Sequence, residues 1–303
     1  MTDPSSCVTL APKLGHERSN LTYLAGPPEH REAKSRLPVL KRASLCATDV
    51  RAVAEGRALA VVIPHYYDHD ACSALAARLL GAKNLWSHYP NGSGAEHIAT
   101  LGDALYSCMG DELSSQCTNY FHHAACRNRE LRDVAAPLIH PADQVRIDLD
   151  NEWPAGATLL RIEGKPAFFG LCRSVRDGGG IEVHTDRADW DFPSIETEAF
   201  CAQLFMNVYL SQSERGGDLE LWAMSIPTKA EYEQLRSPKS TYALDRRLIP
   251  KASTTIKLNQ GTLVIGNASR PHAVTPCEGS GSRLSASGFF GYAGPHAPLR
   301  AFS

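Results

Sequence analysis

No apolar run in the sequence approaches the ~20 residues needed to cross a bilayer. Its start, Met1-Thr2-Asp3-Pro4-Ser5-Ser6-Cys7, lacks the basic opening and apolar centre of a secretory signal. Neither charge is in excess, with 31 Lys and Arg against 33 Asp and Glu, so there is no electrostatic footprint for nucleic acid or an anionic membrane. Nine cysteines lie scattered, odd in number and without a framework of spacings, which argues against disulfides and for thiols in a reducing compartment. Internal repeats are absent too, and nothing in the pattern bears on oligomeric state. What is left is the expectation of a soluble cytoplasmic protein with ordinary globular composition.

The first 40 or so residues are rich in Pro, Ser, Glu, Lys and Arg and carry no sustained apolar period, so residues 1–56 read as a variable arm with a short helix over 44–56. Ala58–Ile63 reads as an apolar strand stopped by Pro64. Over 69–81, Ala71, Leu75, Ala76, Leu79 and Leu80 fall at helical spacing and Gly81 supplies a stop. From 96 to 137 the pattern is again mostly helical, completing a helical layer over 64–137.

After Pro154 the text changes to short β-rich runs separated by Gly, Pro or Asp: 157–162, 167–175, 181–184, 203–210, 219–223, 254–258, 262–265, 272–275 and 284–292. Many short strands with turn signals predict a mainly β fold of sandwich or jelly-roll type, with helices on one outer face. The polar stretch 225–251 reads as an insertion between strands, placed to act as a lid. One domain over 57–303 is expected, with its β core at 154–292.

Within Ile181-Glu182-Val183-His184-Thr185-Asp186, strand alternation projects His184 and Asp186 to the same side. His272 opens a later strand in Arg270-Pro271-His272-Ala273-Val274. Two imidazoles and one carboxylate on one face of iron(II) leave open positions for oxygen chemistry. Arg283 follows in Arg283-Leu284-Ser285, where a guanidinium fork suits the far carboxylate of a dicarboxylic acid and Ser285 can add a bond from the same face. Each signal alone is common. The ordered set is specific: His-x-Asp, then Gly216-Gly217-Asp218-Leu219, then Pro-His, then Arg-x-Ser.

With that set in place the sequence resembles the iron(II)/2-oxoglutarate dioxygenases, in the branch of prolyl 4-hydroxylases and bacterial natural-product hydroxylases and halogenases. The resemblance covers roughly 57–303. It is closest in look to welwitindolinone- and ambiguine-type alkaloid halogenases at Trp153-Pro154-Ala155-Gly156, at Phe168-Phe169-Gly170-Leu171-Cys172-Arg173, and at Gln203–Leu210 before Glu220-Leu221-Trp222. It implies a double-stranded β-helix, the metal set His184, Asp186 and His272, and iron(II), 2-oxoglutarate and O2 as cofactor and co-substrates. In halogenases of this family a small residue replaces the carboxylate and frees a site for halide. Asp186 is present here, so the resemblance implies hydroxylation of an unactivated C–H bond of a small molecule in secondary metabolism, with succinate and CO2 as co-products.

Desaturation, cyclisation or epimerisation use the same chemistry, and a non-catalytic cupin-like metal protein is the alternative from another class; Arg283 argues against the last. Asn207 and Tyr209 share a strand face and reach either co-substrate or core. Trp190, Phe192, Arg173 and Trp222 are the candidates for substrate contact. His65, His69 and Cys72, and His122, His123 and Cys126, have metal-like spacing but read more simply as a helix start and a helix surface. Gly178-Gly179-Gly180 reads as a flexible turn, since no Lys-Ser/Thr follows as in a phosphate loop.

Overall fold

A computed structural model describes residues 37–88, 95–108, 113–192, 197 and 199–303. The β-rich half folds as two facing sheets. The larger runs in the order Val39–Lys41, Ala60–Ile63, Leu263–Asn267, Ala202–Ser211, Arg283–Tyr292, Leu171–Val175, Ile98–Leu101 and Trp86–His88, with Leu299–Phe302 and Ala157–Leu159 attached at the side of Arg283–Tyr292. The smaller has the order Thr254–Ile256, Leu219–Leu221, His272–Val274 and Ile181–His184, all antiparallel. This is the jelly roll expected from the strand count.

Alternation along Ala202–Ser211 shows how the layers form. Leu204, Met206, Val208 and Leu210 point outward into a core shared with Leu75 and Leu79 of helix His69–Gly81, Phe121 and Leu131 of helix Leu113–Ala135, and Val145 and Leu149 of helix Pro141–Glu152. Phe205 and Tyr209 point the other way and pack with Leu219, Leu221 and Leu258 between the sheets. Burial of a large apolar side chain contributes roughly 1.5–3 kcal/mol, so both faces of this strand hold the fold together.

Three expectations are corrected. Residues 39–54, read as part of the arm, belong to the main body; the arm's first 36 residues lie outside the described ones. Val39–Lys41 pairs in parallel with Ala60–Ile63, and helix Ala47–Ala54 buries Val50 and Val53. Ile98–Leu101 is a fully buried strand rather than helix, because it pairs on both sides, with Leu171–Val175 and with Trp86–His88. The triple glycine is a pinned turn: Gly178 N–H donates to Cys277 O at 2.8 Å and Cys277 N–H to Gly179 O at 2.7 Å. A Cβ on Gly180 would sit 3.0 Å from the Val274 carbonyl oxygen, so close backbone approach, not flexibility, calls for glycine there.

The stretch 225–251 holds helix Lys229–Leu235, capped by the Thr228 hydroxyl, and then turns back along the metal-bearing strand. Leu244 N–H donates to Val183 O at 2.8 Å and Ser240 Oγ to Glu182 Oε2 at 3.0 Å. Ile226, Leu244 and Ile249 bury against Val183, Trp222 and Ala273 on the outer side of the small sheet.

Candidate metal centre

His184 and His272 are direct register partners on neighbouring strands, with ring centroids 4.4 Å apart. Asp186 lies just past the end of its strand, where its N–H donates to Ala268 O at 2.8 Å. One carboxylate oxygen, Oδ2, then stands 3.6 Å from His184 Nε2 and 3.3 Å from His272 Nε2. One ligand atom from each of the three can be chosen so that all lie within 4.8 Å of one another, the grouping among the described residues that fits a metal ion.

The far side of each ring accounts for its orientation. His184 Nδ1 is 2.7 Å from Glu182 O, and His272 Nδ1 is 3.0 Å from Arg270 O. A backbone carbonyl can only accept, so each Nδ1 carries the proton and each Nε2 lone pair faces Asp186. Burial pushes the His184 imidazole down to about 4, against the pull of Asp186, which keeps it in the neutral form that ligates metal. Burial alone would raise the Asp186 carboxyl, but His184 and His272, which attract it whenever they are protonated, together with Arg173 hold it below its ordinary value. Neutral imidazoles and an ionised carboxylate, two nitrogens and one oxygen on one side, suit iron(II).

The centre opens into a cavity of about 610 Å³ between the sheets. Arg283 lies in its wall, 2% exposed, with Nε–H donating to Gly217 O at 3.1 Å and an NH2 proton to the Tyr209 hydroxyl at 3.3 Å. Burial raises the Tyr209 phenol, so its hydroxyl stays protonated beside the cation. Asn207, Arg173 and Trp190 also line the cavity. Tyr209 stands behind Arg283 rather than in the lining, and Ser285 is 1% exposed and outside the lining although alternation gives it the same face.

Two substrate candidates sit elsewhere. Phe192 is fully buried in the main core, edge-on to Tyr106 at 5.4 Å. Trp222 faces the outer side of the small sheet and donates its indole N–H to Pro250 O at 2.7 Å; with Leu219 and Leu221 turned inward, alternation directs it away from the cavity. Arg270 is held away as well, donating to the Ala223 carbonyl. Of the histidines and cysteines with metal-like spacing, Cys72 is a core thiol facing Tyr209 O, and His122 and His123 meet ring to ring, with centroids 5.0 Å apart.

Sequence reasoning names the insertion as a lid but not the residues with which it reaches the cavity. Lys229, Tyr232, Glu233 and Arg236, one helical stripe of the insertion, reach the cavity together with Tyr242. The Tyr242 ring stands perpendicular to His184 at 5.4 Å, and Tyr232 lies edge-on to Trp190 at 6.3 Å. Lys229 Nζ donates to Trp190 O and to Asp191 Oδ1, both at 3.2 Å, tying roof to wall. The i, i+3, i+4, i+7 spacing is present in the sequence, but a polar stripe carries no sign of which side is enclosed. Among the described residues no helix is long and apolar enough to cross a membrane.

Comparison with known proteins gives the family of the chain. The family model of the carrier-protein-independent halogenase WelO5 matches residues 40–297. A curated relative, the L-gamma-glutamyl-L-propargylglycine hydroxylase of Streptantibioticus cattleyicolor, is 26% identical over 126 residues, which span 41% of this chain and 46% of that protein. An N-substituted L-amino acid dioxygenase from Burkholderia ambifaria shares the fold at 17% identity, with a TM-score of 0.57 over 85% of this chain and 91% of that one. The same enzyme in complex with alpha-KG gives a TM-score of 0.58. The chain belongs to the family of the carrier-protein-independent halogenase WelO5, within the iron(II)- and 2-oxoglutarate-dependent oxygenases.

Proposed function

We propose that this protein hydroxylates an unactivated C–H bond of a small molecule, an amino acid or amino-acid derivative in secondary metabolism. The observation that carries the reading is Asp186, whose carboxylate oxygen lies within 3.6 Å of both ligating imidazole nitrogens. With that carboxylate in the ligand set, halide has no vacant place beside the metal, so oxygen is the atom transferred. The names of the hydroxylase and dioxygenase relatives point the same way.

In this reading His184, Asp186 and His272 hold iron(II), and the carbonyls of Glu182 and Arg270 keep both rings turned toward it. Arg283 takes the far carboxylate of 2-oxoglutarate, its guanidinium aimed by Gly217 O and steadied by Tyr209. Asn207 lies on the same wall for the co-substrate. Arg173 and Trp190 face the substrate, and the insertion 225–251 closes the roof and excludes water, as a lid should. When bound, iron(II) and 2-oxoglutarate supply O2 activation, with succinate and CO2 released and hydrogen taken from the substrate.

The test begins without oxygen. Addition of iron(II) and then 2-oxoglutarate should give the weak visible charge-transfer band of a chelated keto acid, lost in His184→Ala. A panel of N-acyl amino acids and γ-glutamyl dipeptides is then turned over in air with chloride present. Products heavier by one oxygen support hydroxylation; chlorinated products from the wild type would overturn it, and absence of the band would overturn the oxygenase reading itself.

A further inference from the structure

Asp186 lies past the end of its strand, so its place at the metal depends on what holds the loop Asp186-Arg187-Ala188. That loop leads into the short helix Ala188–Asp191, whose N-cap, Arg187, makes no side-chain cap hydrogen bond. The Ala188 N–H is met from another strand instead, donating to Gln203 Oε1 at 3.0 Å. Gln203 shares the inner face of Ala202–Ser211 with Phe205, Asn207 and Tyr209, and is 1% exposed, behind the cavity wall. Its main chain reaches the same loop by a second route. Gln203 O accepts from Ala268 N–H at 2.8 Å, and Ala268 O accepts from Asp186 N–H at 2.8 Å. An N–H can only donate, so the amide oxygen, not its nitrogen, must face Ala188. The nitrogen then donates to the Tyr106 hydroxyl at 3.1 Å, and Tyr106 is fixed in the wall between Phe192 and Phe289.

We infer that Gln203 is a positioning residue for the metal carboxylate: it clamps the loop at Asp186, through Ala268, and again at Ala188, while Tyr106 keeps its amide turned toward the loop. The inference rests on the iron centre of the reading above. His184 and His272 sit on paired strands, and the ladder between those strands holds them. The carboxylate lies outside that ladder, and the Gln203 clamp takes the ladder's place. Ala188 is fully buried, so removal of the amide strips its N–H of an acceptor that water does not replace. The loop then shifts and carries Asp186 Oδ2 away from the two imidazole nitrogens. Arg283, held by Gly217 and Tyr209, is untouched by the change.

The test uses full-length wild type, Gln203→Met, Gln203→Glu and Tyr106→Phe without oxygen. Iron(II) is titrated at saturating 2-oxoglutarate by the charge-transfer band, and 2-oxoglutarate is then titrated into the iron-saturated proteins. Met keeps the length of Gln and removes the acceptor; Glu restores an oxygen that Ala188 N–H and the Tyr106 hydroxyl can both meet. Gln203→Met should need about 10-fold more iron(II), the scale set by partners that orient a metal ligand. Gln203→Glu should recover most of that loss, Tyr106→Phe should show a smaller loss, and the 2-oxoglutarate titration should change little in any of them. An unchanged iron requirement in Gln203→Met overturns the inference. So does equal weakening of both titrations, which means general loosening, or a Gln203→Glu as weak as Gln203→Met. Should Gln203→Met fail to fold, Tyr106→Phe decides, and wild-type iron binding there overturns the inference. A wild type that gives no band removes the iron centre itself, whereas a wild-type band with unaffected variants removes the clamp alone.

Discussion

Arg283 on the large sheet donates its Nε–H to the carbonyl of Gly217, in the turn that leads into the small sheet, at 3.1 Å. The two sheets are thus joined at the cation that the proposed function assigns to the co-substrate. Gly217 has a φ of +70°, and a Cβ there would press to 3.1 Å from Arg283 Cδ, so the close approach itself needs glycine.

Arg283→Gln should raise the 2-oxoglutarate requirement by about 10–100-fold, since hydrogen bonds to a charged group are worth ~1.5–3 kcal/mol. Arg283→Lys should recover only part of this, because an ammonium keeps the charge and loses the fork. Titration of the charge-transfer band without oxygen reads both. Unchanged titrations would remove Arg283 from the co-substrate site.

Gly216→Ala tests the same turn from the backbone. Gly216 has a φ of +66°, and a Cβ there would lie 1.9 Å from the Pro276 carbonyl oxygen. A left-handed residue costs about 1–3 kcal/mol when it is not glycine, before the clash is counted. Thermal unfolding should shift down clearly, and the surviving folded protein should need more 2-oxoglutarate because Gly217 is displaced.

Acid stability should depend on His140. Burial, with help from Arg132, pushes this imidazole down to about 3, and its ring lies between the Ala142 N–H and the Cys172 thiol. The folded state therefore holds His140 neutral while the unfolded chain protonates it near 6.5. The unfolded state binds the extra proton, so this contribution to stability is complete above pH 6.5 and declines as pH falls toward 3, by up to about 1.4 kcal/mol per pH unit. Denaturant melts of wild type and His140→Asn across that window should show a shallower decline in the variant. Parallel curves would remove His140 as a cause.

Phe192 and Trp190 are two residues apart and should part company on mutation. Phe192→Ala should cost about 3–5 kcal/mol by opening a core cavity, with the 2-oxoglutarate titration of the folded fraction unchanged. Trp190→Ala should cost less stability and weaken the binding of a turned-over substrate. Denaturant melts and substrate KM for the two variants decide the matter; equal stabilities would contradict the core placement of Phe192.

Much of the fold and of the metal centre is legible in the amino-acid order. Helix His69–Gly81 is readable because Asp68 caps it, accepting from Ala71 N at 2.8 Å, and its apolar residues keep one face. The metal set is readable because alternation on a strand is rigid, and because Pro271-His272 marks a strand start. Ile98–Leu101 is hidden, since so short a run of three apolar residues and a threonine looks alike in a helix and in a buried strand. Helix Pro141–Glu152 carries its own start signal, Pro141 in its first turn behind the His140 cap. The position of Trp222 follows from counting parity from Leu219 and Leu221. Which residues of the insertion face the cavity follows from nothing local, because enclosure of a polar stripe is decided by what folds over it.

The strand that carries His184 lies at the edge of its sheet, and its outer side is bonded by Leu244 and Ser240 of the insertion. Insertions are where related enzymes are most easily diversified, and here that variable piece shares two hydrogen bonds with the residues Glu182 and Val183 just ahead of the ligand. A chimera that exchanges residues 225–251 for another enzyme's loop would transplant iron affinity along with substrate range. Directed evolution of this enzyme should accordingly select changes in the loop and in the Ile181–His184 strand as linked pairs.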